Sequence, residues 1–122
     1  MAIGKIKKVT NDSGSGYCKM PDGTMIQWGT ASITSGTFIN TNTGSSGMWD
    51  LSCNFAFPFS FAAGSSPRVF GTAKYSTGHM IPVGFFSSSA TTAACELYDF
   101  YQRVPSASKP YYIEWTAIGR WK

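Results

Sequence analysis

Residues 48–58 read Met48-Trp49-Asp50-Leu51-Ser52-Cys53-Asn54-Phe55-Ala56-Phe57-Pro58. Trp49, Leu51, Cys53, Phe55 and Phe57 alternate with Met48, Asp50, Ser52, Asn54 and Ala56. A period of two with one apolar face is a half-buried β-strand, because successive side chains of an extended chain point to opposite sides. Pro58 brings no N–H to a ladder and closes the run.

The same reading extends in both directions. Tyr17 to Met20 and Thr24 to Ile33 flank Pro21-Asp22-Gly23. In that tight turn Pro presets φ and Gly accepts positive φ, so residues 17–33 form a hairpin. Pro67 to Tyr75 places Val69, Gly71, Ala73 and Tyr75 on one face. Ile81, Val83 and Phe85 mark a further strand, and Thr92 to Tyr101 carries Ala93, Cys95 and Leu97 inward. Tyr111 to Trp121 closes the chain with Tyr111, Ile113, Trp115, Ala117 and Trp121 on one side. Residues 34–47 read as a long polar loop of Thr, Asn, Ser and Gly. These runs make about seven strands without helical periodicity, the pattern of an antiparallel β-sandwich or a closely related barrel.

The whole chain has 122 residues, of which 43% are hydrophobic, 16% aromatic and only 13% charged. That length suits a single domain with its own core. The aromatic content argues against disorder, and the scarcity of charge argues against a coiled coil. No apolar run approaches the roughly 18 residues of a membrane-spanning helix, and the basic start, Met1 to Val9, lacks the apolar centre of a signal peptide. Residues 1–16 end in Asn11-Asp12-Ser13-Gly14-Ser15-Gly16, a linker composition, so the expected organisation is a linker over 1–16 and a sandwich over 17–122.

Ten Lys and Arg against six Asp and Glu give a net charge of +4. Lys5, Lys7, Lys8 and Lys122 lie in the end segments, and Lys19, Arg68, Lys74, Arg103, Lys109 and Arg120 are scattered. Nucleic-acid binders gather cations on one face, so no nucleic-acid partner is expected. The three cysteines, Cys18, Cys53 and Cys95, are an odd count without a C-x-x-C, and read as reduced structural thiols rather than a zinc site.

Catalytic equipment is sparse. His79 is the single histidine, so any Ser-His-Asp or Cys-His arrangement must use it. The nucleophile elbow, zincin, Walker A and dinucleotide motifs are all missing from the sequence, and no enzyme, metal or cofactor is expected. A binding role fits the loops better. If each connection reverses the strand direction, residues 21–23, 58–66 and 87–91 share one end of the sandwich. Residues 34–47, 76–80 and 102–109 then share the other. The second set is longer and richer in polar and aromatic groups. Its candidates for carbohydrate binding are Asn40, Asn42, Tyr75, His79, Tyr101 and Arg103. Aromatic rings cover the C–H face of a sugar, while amides, Arg and His meet its hydroxyls. Tyr75 equally well completes the core face of its strand. Phe70, Phe86, Phe100 and Ile118 fall opposite the core faces, and apolar groups on both sides of a strand predict a homo-oligomer.

Gly16-Tyr17-Cys18-Lys19-Met20-Pro21-Asp22-Gly23-Thr24-Met25-Ile26-Gln27-Trp28-Gly29 resembles the opening hairpin of bacteriophage tail-fibre carboxy-terminal domains. Phe55-Ala56-Phe57-Pro58-Phe59 looks like the apolar strand of that family ending in a Phe-Pro step, and Glu114-Trp115-Thr116-Ala117-Ile118-Gly119-Arg120-Trp121-Lys122 looks like its closing strand. Met20 stands where the family usually has Leu, and Cys18 is a second apolar exchange. The resemblance runs in order through residues 16–122, with 76–110 loosely matched. It implies a trimeric β-sandwich at the distal end of a fibre, similar in plan to the H-type lectins, carried on a virion tail with fibre-shaft or tail proteins as partners. Such a protein is made in the bacterial cytoplasm and acts outside the cell. The resemblance further implies non-catalytic adhesion to a bacterial surface receptor, commonly a polysaccharide, without membrane insertion. A structural cap that drives fibre trimerisation is the alternative. The chain reads either as an excised tip or as a short separate tail protein.

Overall fold

A computed structural model of the chain describes residues 7–10, 14–33, 40–43, 49–76, 78–99 and 110–122. Its elements are β1 (Lys7–Thr10), β2 (Gly16–Lys19), β3 (Thr24–Ile33), β4 (Asn40–Thr43), β5 (Trp49–Ala56), β6 (Arg68–Tyr75), β7 (Met80–Ile81), β8 (Val83–Ser88), β9 (Thr92–Asp99) and β10 (Tyr111–Arg120). They form two antiparallel sheets. One has six strands in the order β1-β2-β3-β10-β6-β7, the other four in the order β4-β5-β9-β8. The chain is therefore all-β, with the two-sheet antiparallel architecture that the alternation predicts.

The inward positions follow the sequence pattern. Met25, Gln27 and Ile33 on β3, Tyr111, Ile113, Trp115 and Ala117 on β10, and Ala73 and Tyr75 on β6 are buried from one sheet. Leu51 and Cys53 on β5 meet them from the other sheet, with Ala93, Cys95 and Leu97 on β9. Trp115 packs against Phe55 at 5.2 Å and Phe57 at 5.6 Å between ring centroids, and Phe57 meets Phe61 edge-on at 5.2 Å. Rings at such separations gain about 0.5–1.5 kcal/mol beyond their buried area. Gly71 is required by close approach: a Cβ there would lie 2.0 Å from the Glu114 carbonyl oxygen of the neighbouring strand.

Three strands lie outside the sequence reading. The polar stretch expected to be one loop contains β4, which pairs with β5 at Asn40↔Ser52 and Asn42↔Asp50. The segment expected to be a linker contains β1, which pairs with β2 from Lys7↔Lys19 to Thr10↔Gly16. Both are edge strands, where one side of the ladder stays open and no apolar face on both sides is needed. The run around Ile81, Val83 and Phe85 is split at Pro82. Ile81 pairs with Ala73 in the larger sheet, whereas Val83 pairs with Leu97 in the smaller one. Proline cannot donate to a ladder, so it suits the corner where a chain changes sheets. The Pro82 carbonyl accepts a hydrogen bond from the Tyr98 amide at 3.0 Å.

One end of the sandwich is closed by backbone hydrogen bonds among the turn at 20–23, the segment 57–67, the β8–β9 turn and the terminal residues. Phe57 and Phe61 donate to Thr91 and Ala90, Ala62 donates to Arg120, and Trp121 donates to Gly23. Gln27, fully buried, reaches the same segment through its side chain. Its amide nitrogen donates to the Phe59 carbonyl at 2.6 Å and its amide oxygen accepts from the Phe59 N–H at 3.4 Å.

Candidate functional site

The opposite end is set by strand register. Tyr111 opens β10 facing Ile33, the last residue of β3, and Tyr75, the last of β6. In the smaller sheet Trp49 opens β5 facing Thr43 at the end of β4 and Asp99 at the end of β9. The strand ends flanking residues 34–39, 44–48, 77 and 100–109 thus share one end of the two-sheet stack. The Tyr111 hydroxyl donates to the Asp99 carboxyl and ties the sheets together there; both residues are fully buried.

Four of the residues predicted to bind sugar, Asn40, Asn42, Tyr75 and His79, lie among the described residues. Asn40 and Asn42 belong to the edge strand β4. His79 is exposed in the turn between β6 and β7, where the Tyr75 N–H donates to its carbonyl at 2.8 Å and the Gly78 N–H donates to the Tyr75 carbonyl at 2.7 Å. Gly78 holds φ at +107°, which an L side chain rarely adopts, so the tight turn depends on glycine. Tyr75 and His79 are therefore brought side by side by a hairpin. The Tyr75 ring is buried, however, with its centroid 5.2 Å from that of Tyr111. Its strand alternation dominates over its position beside the turn. Tyr101 and Arg103 lie outside the described residues. Among the described residues no group of three His, Cys, Asp or Glu side chains comes together to hold a metal.

A second surface is the outer face of the six-stranded sheet. The register sets its rows: Cys18, Ile26, Ile118 and Arg68 in one, Trp28, Thr116 and Phe70 in the next, then Thr30, Glu114 and Thr72, then Ser32, Tyr112, Lys74 and Met80. Phe70 is 53% exposed, Met80 65%, Ile118 39% and Tyr112 37%. Four large apolar groups on this face reach water, Phe70 and Ile118 in adjacent rows and Tyr112 and Met80 in a further row beyond Thr30, Glu114 and Thr72. Between the rows runs a groove of about 500 Å³, bordered by Trp28, Thr30, Phe70, Thr72, Glu114 and Thr116. Phe70 and Ile118 were legible as outward residues from their strand parity. Trp28, Tyr112 and Met80 were not assigned to this face, although the even-numbered positions of β10 already alternate with its core residues.

These features define an all-β two-sheet module with one outer sheet face that carries exposed apolar groups. Among solved structures its fold is that of pyocin tail fibres. It superimposes on an N-truncated R1-type pyocin tail fibre with a TM-score of 0.68 at 20% identity, over 97% of this chain and 88% of that one. It also matches the C-terminal part of an R2 pyocin fibre of P. aeruginosa with a TM-score of 0.58 at 20% identity, over 98% of this chain and 27% of the fibre chain. No protein-family model matches the chain, and no curated protein matches it.

Proposed function

We propose that this chain is the receptor-binding tip of a phage or phage-like tail fibre, a homotrimer that adheres without catalysis to a bacterial surface polysaccharide. The observation that carries the reading is the near full-length likeness to the R1-type pyocin tail fibre, 97% of this chain against 88% of that one. The outer sheet face supports the trimer, because Phe70, Ile118, Tyr112 and Met80 gain by leaving water when copies associate. The loop-bearing end supports the receptor site. Loops on a rigid sandwich are where binding residues concentrate, and Asn40, Asn42, His79, Tyr101 and Arg103 supply amide, imidazole, phenol and guanidinium groups for sugar hydroxyls. Tyr75 acts in this site by supporting the turn that presents His79. The fibre shaft or other tail proteins are the remaining partners, and the particle's tail is where the chain works.

A binding screen of the labelled protein against a panel of bacterial surface polysaccharides tests the proposal. Saturable binding to particular glycans is expected, with a loss of about tenfold or more in Tyr101→Ala/Arg103→Ala, since one good charged hydrogen bond contributes about that factor. A trimer that binds no glycan and no whole cells over many strains would instead indicate a structural cap. Release of sugar products from a purified polysaccharide would indicate a hydrolase.

A further inference from the structure

Two of the three cysteines meet in the core. Cys53 on β5 and Cys95 on β9 are directly opposite one another in the antiparallel ladder, and their Sγ atoms are 3.1 Å apart. Both side chains are buried, at 1% and 0% exposure. The Cys18 side chain lies on another strand of the other sheet, on the outer-face row shared with Ile26. We propose that Cys53 and Cys95 are a latent cross-strand disulfide, which closes when the protein meets peroxide and staples the central strands of the four-stranded sheet.

The geometry favours closure. Directly opposed residues of an antiparallel pair have Cα atoms about 4.5–5.5 Å apart, inside the range of about 4.4–6.8 Å that a disulfide spans. The backbone can therefore stay in place while small side-chain rotations bring the sulfurs from contact to a bond of about 2.05 Å. The thiols share one hydrogen bond in which either sulfur can donate, so either can lose its proton and attack while the other resolves. Burial excludes bulky oxidants and leaves small ones such as hydrogen peroxide.

The step balances as two electrons and two protons. One thiolate attacks a peroxide oxygen and breaks the O–O bond, giving a sulfenic acid and hydroxide. The second sulfur then attacks the first and expels the sulfenic oxygen. The two released protons complete two waters, so two thiols and one peroxide yield one disulfide and two waters. The cross-link would close a loop of 42 residues of sequence separation, which restricts the unfolded chain more than the folded one.

The test uses the full chain as a Cys18→Ser variant, treated with hydrogen peroxide and then unfolded in an alkylating agent. The expected product has lost about 2 Da, takes up no alkyl groups, yields a peptide linking residues 53 and 95, and reverts with reductant. Its Tm is expected to rise on the order of 10 °C above the reduced form, from the loop-closure entropy of a loop this long. Two alkylatable thiols after treatment, or a sulfinic acid at Cys53 or Cys95 without a cross-link, would overturn the proposal. The wild-type chain gives a second reading that needs no further substitution: a link from Cys18 to either partner also overturns it.

Discussion

The phenolic hydroxyl of Tyr111 donates to the carboxyl of Asp99, and the two fully buried residues come from opposite sheets. Tyr111 opens β10 in the six-stranded sheet, and Asp99 ends β9 in the four-stranded one. The contact joins the sheets at the end that bears the candidate loops. A buried polar pair of this kind costs little while complete, and removing the donor takes one hydrogen bond from the buried carboxyl.

Tyr111→Phe keeps the ring and its packing on Tyr75 while deleting the donor. The expected loss of stability is about 1–3 kcal/mol, read as a lower urea midpoint with an unchanged slope. A midpoint equal to that of the wild type would show that the hydroxyl contributes nothing to joining the sheets.

Gln27→Leu removes both hydrogen bonds to Phe59 from a fully buried site. The Phe59 N–H and carbonyl then lose their side-chain partners, which costs about 2 kcal/mol. Hydrogen exchange should rise throughout residues 57–67 and stay slow in β10. Uniform protection across that segment would contradict the role assigned to Gln27.

Asp22 accepts a hydrogen bond from the Thr24 N–H at 2.9 Å, and that bond, more than Arg120, holds its carboxyl below the ordinary value of 3.8. A depressed folded-state value contributes stability that is present above the unfolded value and is lost as the pH falls through the folded one. The Asp22 carboxyl carbon should therefore titrate by NMR at a lower pH than the same residue in a short peptide. Asp22→Asn should remove the Asp22 contribution to the acid dependence of the turn.

Phe70→Glu/Ile118→Glu places two charges on the outer sheet face, at sites 53% and 39% exposed in the single chain. Light scattering should report a trimer for the wild type and a monomer for the double variant, with the β circular-dichroism spectrum kept. A wild-type monomer would remove the assembly from the proposed function, and an undisturbed trimer would move the interface elsewhere.

The legible part of the fold was the part with one wet and one dry face. Trp49 to Phe57 and Tyr111 to Ala117 alternate in sequence, and Leu51, Cys53, Phe55 and Phe57 with Tyr111, Ile113, Trp115 and Ala117 pack on the core. Pro21-Asp22-Gly23 marked its turn because Gly23, at φ +99°, takes a conformation most residues avoid. The edge strands β1 and β4 carried no such signal. Lys7–Thr10 and Asn40–Thr43 are mostly polar, and backbone pairing with a neighbour is indifferent to side-chain pattern. The candidate site rests on composition and loop parity alone; these place His79 in a turn, where it is exposed, and leave Tyr75 between the turn and the core, where it is buried.

By itself, then, the sequence determined the extended strands with one dry face, which side of each is apolar, and the reversal at Pro21-Asp22-Gly23. These are local properties, written in side-chain alternation and in the backbone preferences of Pro and Gly. The tertiary structure alone decided which strands are neighbours and in what register. It set Cys53 against Cys95, Tyr111 against Asp99, and Phe70 and Trp28 on either side of Thr116 on an open face. Such pairings join residues up to tens of positions apart, and they follow from how two sheets share one core, which no window of sequence contains.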